Sequence, residues 1–396
     1  MGRIFGIHLK KAVPMLTRQV QLRNLDELTP ERLSPLIELQ PQLLFLFAAS
    51  RYFREARLVE RLATLLPNCQ RVGCSTAGEV SMEGSYDDSL SLTALRFDRP
   101  ALNVVTTELL GMQDSMAAGA RIGAQLRDSR PHTVLLFAPG TDINGSHLVE
   151  GLAAALPDTK IAGGLAGDGV AFKDTFTIYD RRVSSRQIVA VALTGTNLKA
   201  GFGSYGGWKP FGPVRRVTRA THNILYELDG EPALAMYKRY LGDYASQLPA
   251  SGLLFPFSIL DTERCEVGLI RTILGIDEAN NSLILAGNVH DNGFVQLMHA
   301  NTDALVNGAA MAAADLRAAN GTVLQGKGFG LMISCVGRKL VMGGRTDEEL
   351  EAVINELGTQ HTYAGFHSYG EINPGNAKVG CSLYNQTMTV TFLNEE

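Results

Sequence analysis

The sequence lacks several features that would assign a class of protein at once. Its five cysteines include no Cys-x-x-Cys pair, so neither a zinc ribbon nor a disulfide framework is indicated. No apolar run approaches the roughly 18 residues that a membrane span needs. The N-terminus has no long apolar stretch of the kind found in secretory signals. We therefore expect a protein of the reducing cytoplasm without a membrane partner.

Charge of one sign is also scarce. A formal net charge of −4 gives no overall field that would draw the chain to nucleic acid or to anionic lipid. Hydrophobic residues make up 45% and charged residues 19% of the chain, as in ordinary globular proteins. With 396 residues, the chain is long enough for two or more domains and a large core. No nucleic-acid partner is expected.

Familiar catalytic strings are missing as well. The chain contains no Gly-x-Ser-x-Gly elbow, no His-Glu-x-x-His string and no Walker loop. Carboxylates such as Glu79 and Glu371 can share acid–base work only where the fold brings them together. We expect a binding protein rather than an enzyme.

The sequence does contain one pattern that occurs three times. Each copy is an apolar strand, a helix and a second strand that runs into a small-residue loop ending in glycine and an acid. The loops end at Gly78-Glu79, Gly167-Asp168 and Gly370-Glu371. A loop repeated at corresponding points of a duplicated unit is a candidate ligand site. The structural alternative is that the glycines supply positive φ and the acids cap backbone donors.

Units of this kind predict a mixed α/β layer structure. We expect a lead-in strand over 1–24, a first domain over 25–220 and a second over 221–396, with a ligand pocket between the two domains. Three further elements are predicted between copies two and three: a hairpin over 265–289, a strand at 295–298 and an Ala-rich helix over 303–319.

Several strings, in their order along nearly the whole chain, resemble the FIST family of sensory proteins. The amino-terminal part is similar to the FIST N region in the loop at 73–79 and in the Ala-Gly-Gly string at 162–164. The Gly-Trp-x-Pro-x-Gly run at 207–212 is similar to the connecting segment of the family. The carboxyl-terminal part resembles FIST C at 334–338 and at 365–372.

The resemblance implies an intracellular signal-transduction sensor that binds a small ligand. With no kinase, methyl-acceptor or cyclase segment in its sequence, the chain is most similar to a stand-alone, NosP-like branch of nitric oxide sensing proteins. That branch implies haem b as cofactor, nitric oxide as signal and a partner histidine kinase in a two-component system. The alternative is a haem-free sensor of a small metabolite of the amino-acid type. A homo-oligomer is compatible with both.

Haem needs an axial ligand, an apolar slot and polar or cationic groups for its propionates. His290 follows an apolar strand, and its neighbour Asp291 or a backbone carbonyl is expected to accept a hydrogen bond from the second ring nitrogen. His367 lies in the third glycine-acid loop, where an aromatic residue is more typical of the family. These two are the candidate metal ligands, and His299, at the end of an alternating strand, is a further cofactor-binding candidate. The plainer interpretation of each is a polar turn residue or a satisfied core histidine.

Three other residues complete the candidate cofactor site. Cys335 ends an apolar strand and offers a thiolate in principle, although an inert buried thiol is the more ordinary role. Arg338 carries a planar fork that suits a propionate or a ligand carboxylate. Its structural alternative is an ion pair with Glu371, the acid of the third loop and the last candidate.

Overall fold

A computed structural model describes residues 15–99, 102–375 and 380–395. In these ranges the chain forms a mixed α/β fold with three six-stranded sheets and one eight-stranded sheet, as the sequence pattern predicts. Of the expected lead-in over 1–24, residues 1–14 lie outside the described ranges. None of the described helices combines the length and the apolar character that a membrane crossing requires.

Two consecutive units have the same order of elements: strand, helix, strand, helix, strand, hairpin and closing strand. The first unit contains β1 (Leu16–Leu22), α1 (Ser34–Leu39), β2 (Leu43–Ala49), α2 (Ala56–Leu65), β3 (Gln70–Thr76), β4 (Glu79–Ser81), β5 (Gly84–Tyr86) and β6 (Leu90–Arg96). The second contains β7 (Leu102–Glu108), α3 (Ser115–Leu126), β8 (Thr133–Ala138), α4 (Gly145–Ala155), β9 (Lys160–Leu165), β10 (Thr177–Tyr179), β11 (Arg182–Ser184) and β12 (Gln187–Leu193).

The third unit has the same order except for two helices between its second and third strands, and it is interrupted after its first strand, β13 (Leu198–Tyr205). The interruption, which we call the inserted sheet, contains β14 (Lys209–Thr221), β15 (Ile224–Leu228), β16 (Glu231–Pro232), α5 (Ala233–Leu241), β17 (Phe257–Leu260), β18 (Glu266–Arg271), β19 (Ile273–Asp277), β20 (Ser282–Leu285) and β21 (Phe294–His299). The unit then resumes with α6 (Thr302–Asn320), β22 (Phe329–Cys335), α7 (Val336–Met342), α8 (Asp347–Leu357), β23 (Thr362–Ser368), β24 (Gly370–Asn373), β25 (Ser382–Tyr384) and β26 (Met388–Glu395).

The strand and the Ala-rich helix predicted between copies two and three are confirmed, and the hairpin is confirmed in part. β19 and β20 form it, with Asp277 opposite Ser282, but residues 266–271 form β18, which pairs with β17 instead. β21 is the predicted strand. The Ala-rich helix is α6, and it packs mainly against β13 and β26 in the sheet of the third unit. The repeat is therefore longer than the sequence pattern indicates, because each unit begins with an additional strand and helix.

Each six-stranded sheet is completed by a hairpin that another unit donates. The first unit gives β4–β5 to β23, the second gives β10–β11 to β3, and the third gives β24–β25 to β9. In every sheet the two middle strands are parallel and the closing strand is antiparallel to them. The exchange is cyclic, so each unit both donates and receives a hairpin.

Apolar side chains from the three sheets meet in one central core. Five phenylalanines are buried there with neighbouring ring centroids 4.8–6.4 Å apart: Phe45, Phe47, Phe137, Phe329 and Phe366. Along β2, Phe45 and Phe47 point to this core while Leu44 and Leu46 face the outer helices. A strand covered on both faces reads as a continuous apolar run, which explains the Leu-Leu-Phe-Leu-Phe string. Each fully buried Phe side chain contributes about 1.5–3 kcal/mol.

Candidate functional site

The three repeated bends meet at one end of the central core. Backbone hydrogen bonds join them in a ring: Gly167 N donates to Ser75 O (2.9 Å), Ala77 N to His367 O (2.8 Å) and Tyr369 N to Leu165 O (3.3 Å). The fold thus brings together segments that are far apart in sequence. Their backbone polar groups bond to one another.

The acids of the first and third bends act as internal braces. Glu79 accepts hydrogen bonds from the Thr76 hydroxyl and from the backbone and hydroxyl of Ser89. Glu371 repeats this arrangement with the Ser368 hydroxyl and with Thr387, whose N and Oγ1 lie 3.1 and 3.0 Å from Oε2. Each carboxylate therefore links its bend to the beginning of the closing strand. The contacts are those of the structural alternative, in which the acids bind neighbouring donors.

The second bend does not follow the glycine-acid alignment. Corresponding residues of the parallel strands are set by register: Leu46 lies opposite Gly73, Leu136 opposite Gly163 and Met332 opposite Gly365. By this register Asp168 corresponds to Gly78, one position earlier than the sequence comparison places it. Its carboxylate caps a separate loop by accepting the N–H groups of residues 172–174.

His367 is enclosed beside the third bend. Its Nε2 lies 3.0 Å from Ser85 Oγ, whereas Nδ1 is buried without a partner among the described residues. Burial, with smaller contributions from Lys339 and Arg338, holds the pKa of His367 well below its usual range. The ring is therefore neutral at pH 7.

Arg338 and Cys335 lie near the same bend, on and just before α7. The Arg338 side chain is fully buried, and its Nε and Nη2 donate to Glu349 at 3.1 and 2.9 Å. Its ion-pair partner is thus Glu349 rather than Glu371, and its other donors bind the carbonyl oxygens of Leu305 and Gly206. Burial raises the pKa of the Cys335 thiol, which favours the protonated form.

A large cavity, cavity A, lies between the inserted sheet and the second unit. It has a volume of about 540 Å³, within the range of small-molecule sites. Residues from both halves of the chain line it, with Ser146 and Glu150 on α4 opposite the inserted sheet. Its apolar walls are formed by Val217, Ile259, Leu260, Val267, Leu269, Val289, Phe294 and Leu383.

His290 lies on the wall of cavity A as an exposed side chain. Its neighbour Asp291 also lines the cavity, but that carboxylate accepts from the backbone N–H of Ala220. His299 is exposed at the end of β21 and makes an edge contact with Phe211, with ring centroids 5.8 Å apart. The two candidate metal ligands thus occupy different environments: His290 is on the cavity wall, and His367 is buried beside the bends.

Arg271, which sequence reasoning missed, lies at the inner end of cavity A. Only 4% of its surface is exposed. Its Nε donates to Asn288 O at 3.0 Å, and Nη1 donates to Ile270 O at 3.2 Å and to Leu383 O at 3.1 Å. The sequence indicates this residue only through its position. Arg271 shares one face of an alternating strand with the apolar Val267 and Leu269.

A second hollow, cavity B, lies on the other side of β18 and has a volume of about 520 Å³. Alternate residues of this strand face the two cavities. Val267, Leu269 and Arg271 line cavity A, whereas Glu266, Gly268 and Ile270 line cavity B. One strand therefore separates two hollows of similar size. Neither cavity takes a lining residue from the three bends.

No three His, Cys, Asp or Glu side chains in the described ranges gather as a metal-binding group. A haem site needs fewer protein ligands than such a group, because a single axial side chain can hold the iron. The His290 imidazole on the apolar cavity wall is a donor of the required type.

Comparisons with known proteins identify two domains along the chain. The FIST N domain matches residues 42–231 and the FIST C domain matches residues 233–374. An uncharacterized protein of Mycobacterium tuberculosis is 29% identical over 269 residues, which cover 65% of this chain and 67% of that protein. An uncharacterized protein of Methanocaldococcus jannaschii is 25% identical over 238 residues, 56% of this chain and 44% of that protein.

Among solved structures, the chain is similar to a cyanuric acid hydrolase from A. caulinodans. The TM-score is 0.38 with 9% sequence identity, over 96% of this chain and 99% of the hydrolase. Together the two domain matches span most of the sequence. The chain belongs to the FIST family of sensory-domain proteins.

Proposed function

We propose that this protein is a cytoplasmic signal-input protein that binds a small ligand in cavity A and regulates a partner histidine kinase. The observation that carries the proposal is the cavity itself, in which apolar walls formed mainly by the inserted sheet face Ser146 and Glu150 of the second unit. A ligand held between two parts of a chain can favour one arrangement of them over another. The proposal assigns no catalytic activity to the protein. It is supported by the internal hydrogen bonds that the Glu79 and Glu371 carboxylates accept from neighbouring residues.

Haem b is the leading candidate ligand, with nitric oxide as the signal that it detects. The residues present fit this group: cavity A combines apolar walls, an imidazole at His290 and a guanidinium at Arg271. When bound, haem supplies an iron that takes up diatomic gases. His290 would hold the iron through its imidazole, and the apolar walls of cavity A would contact the ring.

Absorbance spectroscopy tests the haem proposal. Purified protein incubated with ferric haem b is expected to develop a Soret band, and His290→Ala is expected to abolish or shift it without changing the far-ultraviolet circular dichroism. His299→Ala is the matched control, since it removes an exposed histidine that lines neither cavity. A Soret band unaffected by His290→Ala would exclude this residue as the axial ligand, and absence of any band would exclude haem.

Signalling is tested by combining the loaded protein with candidate histidine kinases. Addition of nitric oxide to the reduced, haem-loaded protein is expected to shift the Soret band and to change the rate of kinase autophosphorylation. The His290→Ala protein is expected to leave that rate unresponsive to nitric oxide. A kinase rate that responds equally with the variant would contradict the proposed route through cavity A.

A haem-free metabolite with a carboxylate is the second candidate ligand. It is favoured by the depth of Arg271, because a buried cation suits an anionic end group that enters first. Exposed carboxylates at the mouth, Glu150, Asp261 and Asp291, suit a ligand with a cationic or polar outer end. A thermal-shift screen of apo protein against amino acids distinguishes this ligand class from haem. If haem stabilises the protein and no amino acid does, the carboxylate metabolite is excluded as the ligand.

A further inference from the structure

The described part of the chain buries three arginines, and only one of them lacks a carboxylate partner. Arg71 pairs with Asp180, and Arg338 pairs with Glu349. Arg271 is equally buried, but no described carboxylate lies at ion-pair distance from its guanidinium. A buried charge without an ion-pair partner is costly, and Arg271, which lines cavity A, has only the longer-range attraction of Glu150 to offset that cost among the described carboxylates.

The donors of Arg271 are only partly used. Its three hydrogen bonds go from Nε and Nη1 to main-chain carbonyl oxygens, and within the described residues Nη2 makes none. Burial lowers the pKa of Arg271 to about 10, so the group is still protonated at pH 7. Carbonyl oxygens orient the guanidinium without neutralising it, which leaves one side of its fork for an anion.

None of the described acids that line cavity A forms an ion pair with Arg271, although Glu150 lies close enough to favour its charged form. Glu150, Asp261 and Asp291 are exposed at the mouth. Asp261 accepts from the N–H groups of Glu263 and Cys265, and Asp291 is bound to Ala220. The cavity therefore has a cationic inner end and an acidic rim.

Two further groups beside Arg271 suit an anion. A Cβ at Gly287 would lie 2.8 Å from Ser146 Oγ and 2.9 Å from Arg271 Nε, so both groups approach the bare backbone of this glycine. Ser146 is buried in the first turn of α4, an 11-residue helix capped by Asn144. The amino-terminal end of a helix carries a partial positive charge that favours anions.

We infer that Arg271, Ser146 and the amino-terminal end of α4 form an anion-binding subsite that seats a carboxylate or phosphate group of the ligand at the inner end of cavity A. The inference rests on the proposal that cavity A is the ligand site. It adds that the ligand enters with an anionic group first. That group completes the ion pair that Arg271 lacks within the described residues.

Two porphyrins test the subsite directly. Ferric haem b carries two propionates, whereas its dimethyl ester has the same ring and iron without the negative charges. The wild-type protein is expected to bind haem b at least about tenfold more tightly than the ester, the range of a charge-assisted hydrogen bond. Arg271→Met is expected to bring haem b to the affinity of the ester. Arg219→Met, which removes an exposed arginine outside both cavities, is expected to retain the difference.

Equal affinity of the wild-type protein for the two porphyrins, or an unchanged ratio in Arg271→Met, overturns the subsite even though haem is bound. Arg271→Lys keeps the charge but loses the fork, so an intermediate ratio is expected. Arg271→Lys also replaces Arg271→Met as the test variant if the methionine variant does not fold.

Failure of both porphyrins to bind removes haem from the proposed function but leaves the subsite open to test with small anions. Inorganic phosphate and benzoate are then titrated in a thermal-shift measurement. Saturable stabilisation of the wild-type and Arg219→Met proteins, absent from Arg271→Met, supports the subsite. Equal shifts in all three proteins overturn it.

Discussion

Glu79 and Glu371 occupy equivalent places in two bends, and each is buried with three hydrogen-bond donors around it. Burial raises the pKa of Glu79 to about 7 and that of Glu371 to about 8, against hydrogen bonds that favour the charged form. Both carboxyl groups are therefore expected to change their protonation state near neutral pH in the folded protein.

A pH-dependent contribution to stability follows from Glu371. Its pKa in the folded protein, about 8, is above the ordinary value of 4.5, so the folded state binds the proton more tightly than the unfolded state. The resulting stability is complete below pH 4.5 and is lost as the pH rises through about 8. Glu371→Gln is expected to reduce the loss of unfolding free energy between these limits by on the order of 1–3 kcal/mol, measured by chemical denaturation at pH 5 and pH 8.

Glu351→Gln, an exposed acid on α8, is the control and should follow the wild-type pH profile. Parallel profiles for wild type and Glu371→Gln would contradict the assignment.

Single residues were the hardest part of the site to predict from sequence. Arg338 follows a family-like string and invites a ligand role, yet its guanidinium is neutralised inside the protein by Glu349. Arg271 belongs to no such string, and its importance depends on burial without a counter-charge. Sequence patterns report which face of a strand a residue occupies, but not whether a carboxylate from elsewhere reaches it.

At the scale of elements, a glycine lies at the same point of the middle strand in all three units. A Cβ would lie 1.8 Å from Leu46 O at Gly73, 2.0 Å from Leu136 O at Gly163 and 1.6 Å from Met332 O at Gly365. No side chain fits at these distances, so the parallel strand pairs depend on a bare backbone at this point. The glycines of the sequence pattern are thus explained by strand packing.

Gly163→Ala is expected to destabilise the protein by about 3 kcal/mol or more, because the methyl group overlaps a carbonyl of the neighbouring strand and φ is +134°. Urea denaturation measures the loss. Gly321→Ala is the control: it follows α6 with φ −60° and has open space at its Cβ, so a change within about 1 kcal/mol is expected. Similar effects of both substitutions would show that strand packing at 163 is unimportant.

The main helices and strands could be predicted because their periodicities are local. The donated hairpins could not, since β4, β10 and β25 have only three residues each. Their partners lie in other units, and no local pattern specifies a partner at that distance. The one-position shift of the second bend has the same origin: register is fixed by pairing with β8, not by the matching letters of the loop.

At the scale of the whole molecule, the cyclic exchange of hairpins makes every unit depend on another. Removing one unit would leave a neighbouring sheet without its two edge strands and the central core without one of its three walls. The units therefore cannot unfold singly without exposing core residues of their neighbours. We expect one cooperative transition for the three units.

Trp208, the single tryptophan, reports on this cooperativity. It is buried beside α6, and its Nε1 donates to Gln386 O at 2.9 Å. Fluorescence of Trp208 and far-ultraviolet circular dichroism are expected to give the same denaturation midpoint. Gly163→Ala, in the second unit, is expected to lower both midpoints equally although Trp208 contacts the third. Separate midpoints, or a tryptophan signal unmoved by the distant substitution, would contradict the coupling.

A single strand, β18, separates cavity A from cavity B. Alternate residues of β18 line cavities A and B. A displacement of this strand away from one cavity would therefore narrow the other. A ligand in cavity A that displaced β18 would also change the volume of cavity B.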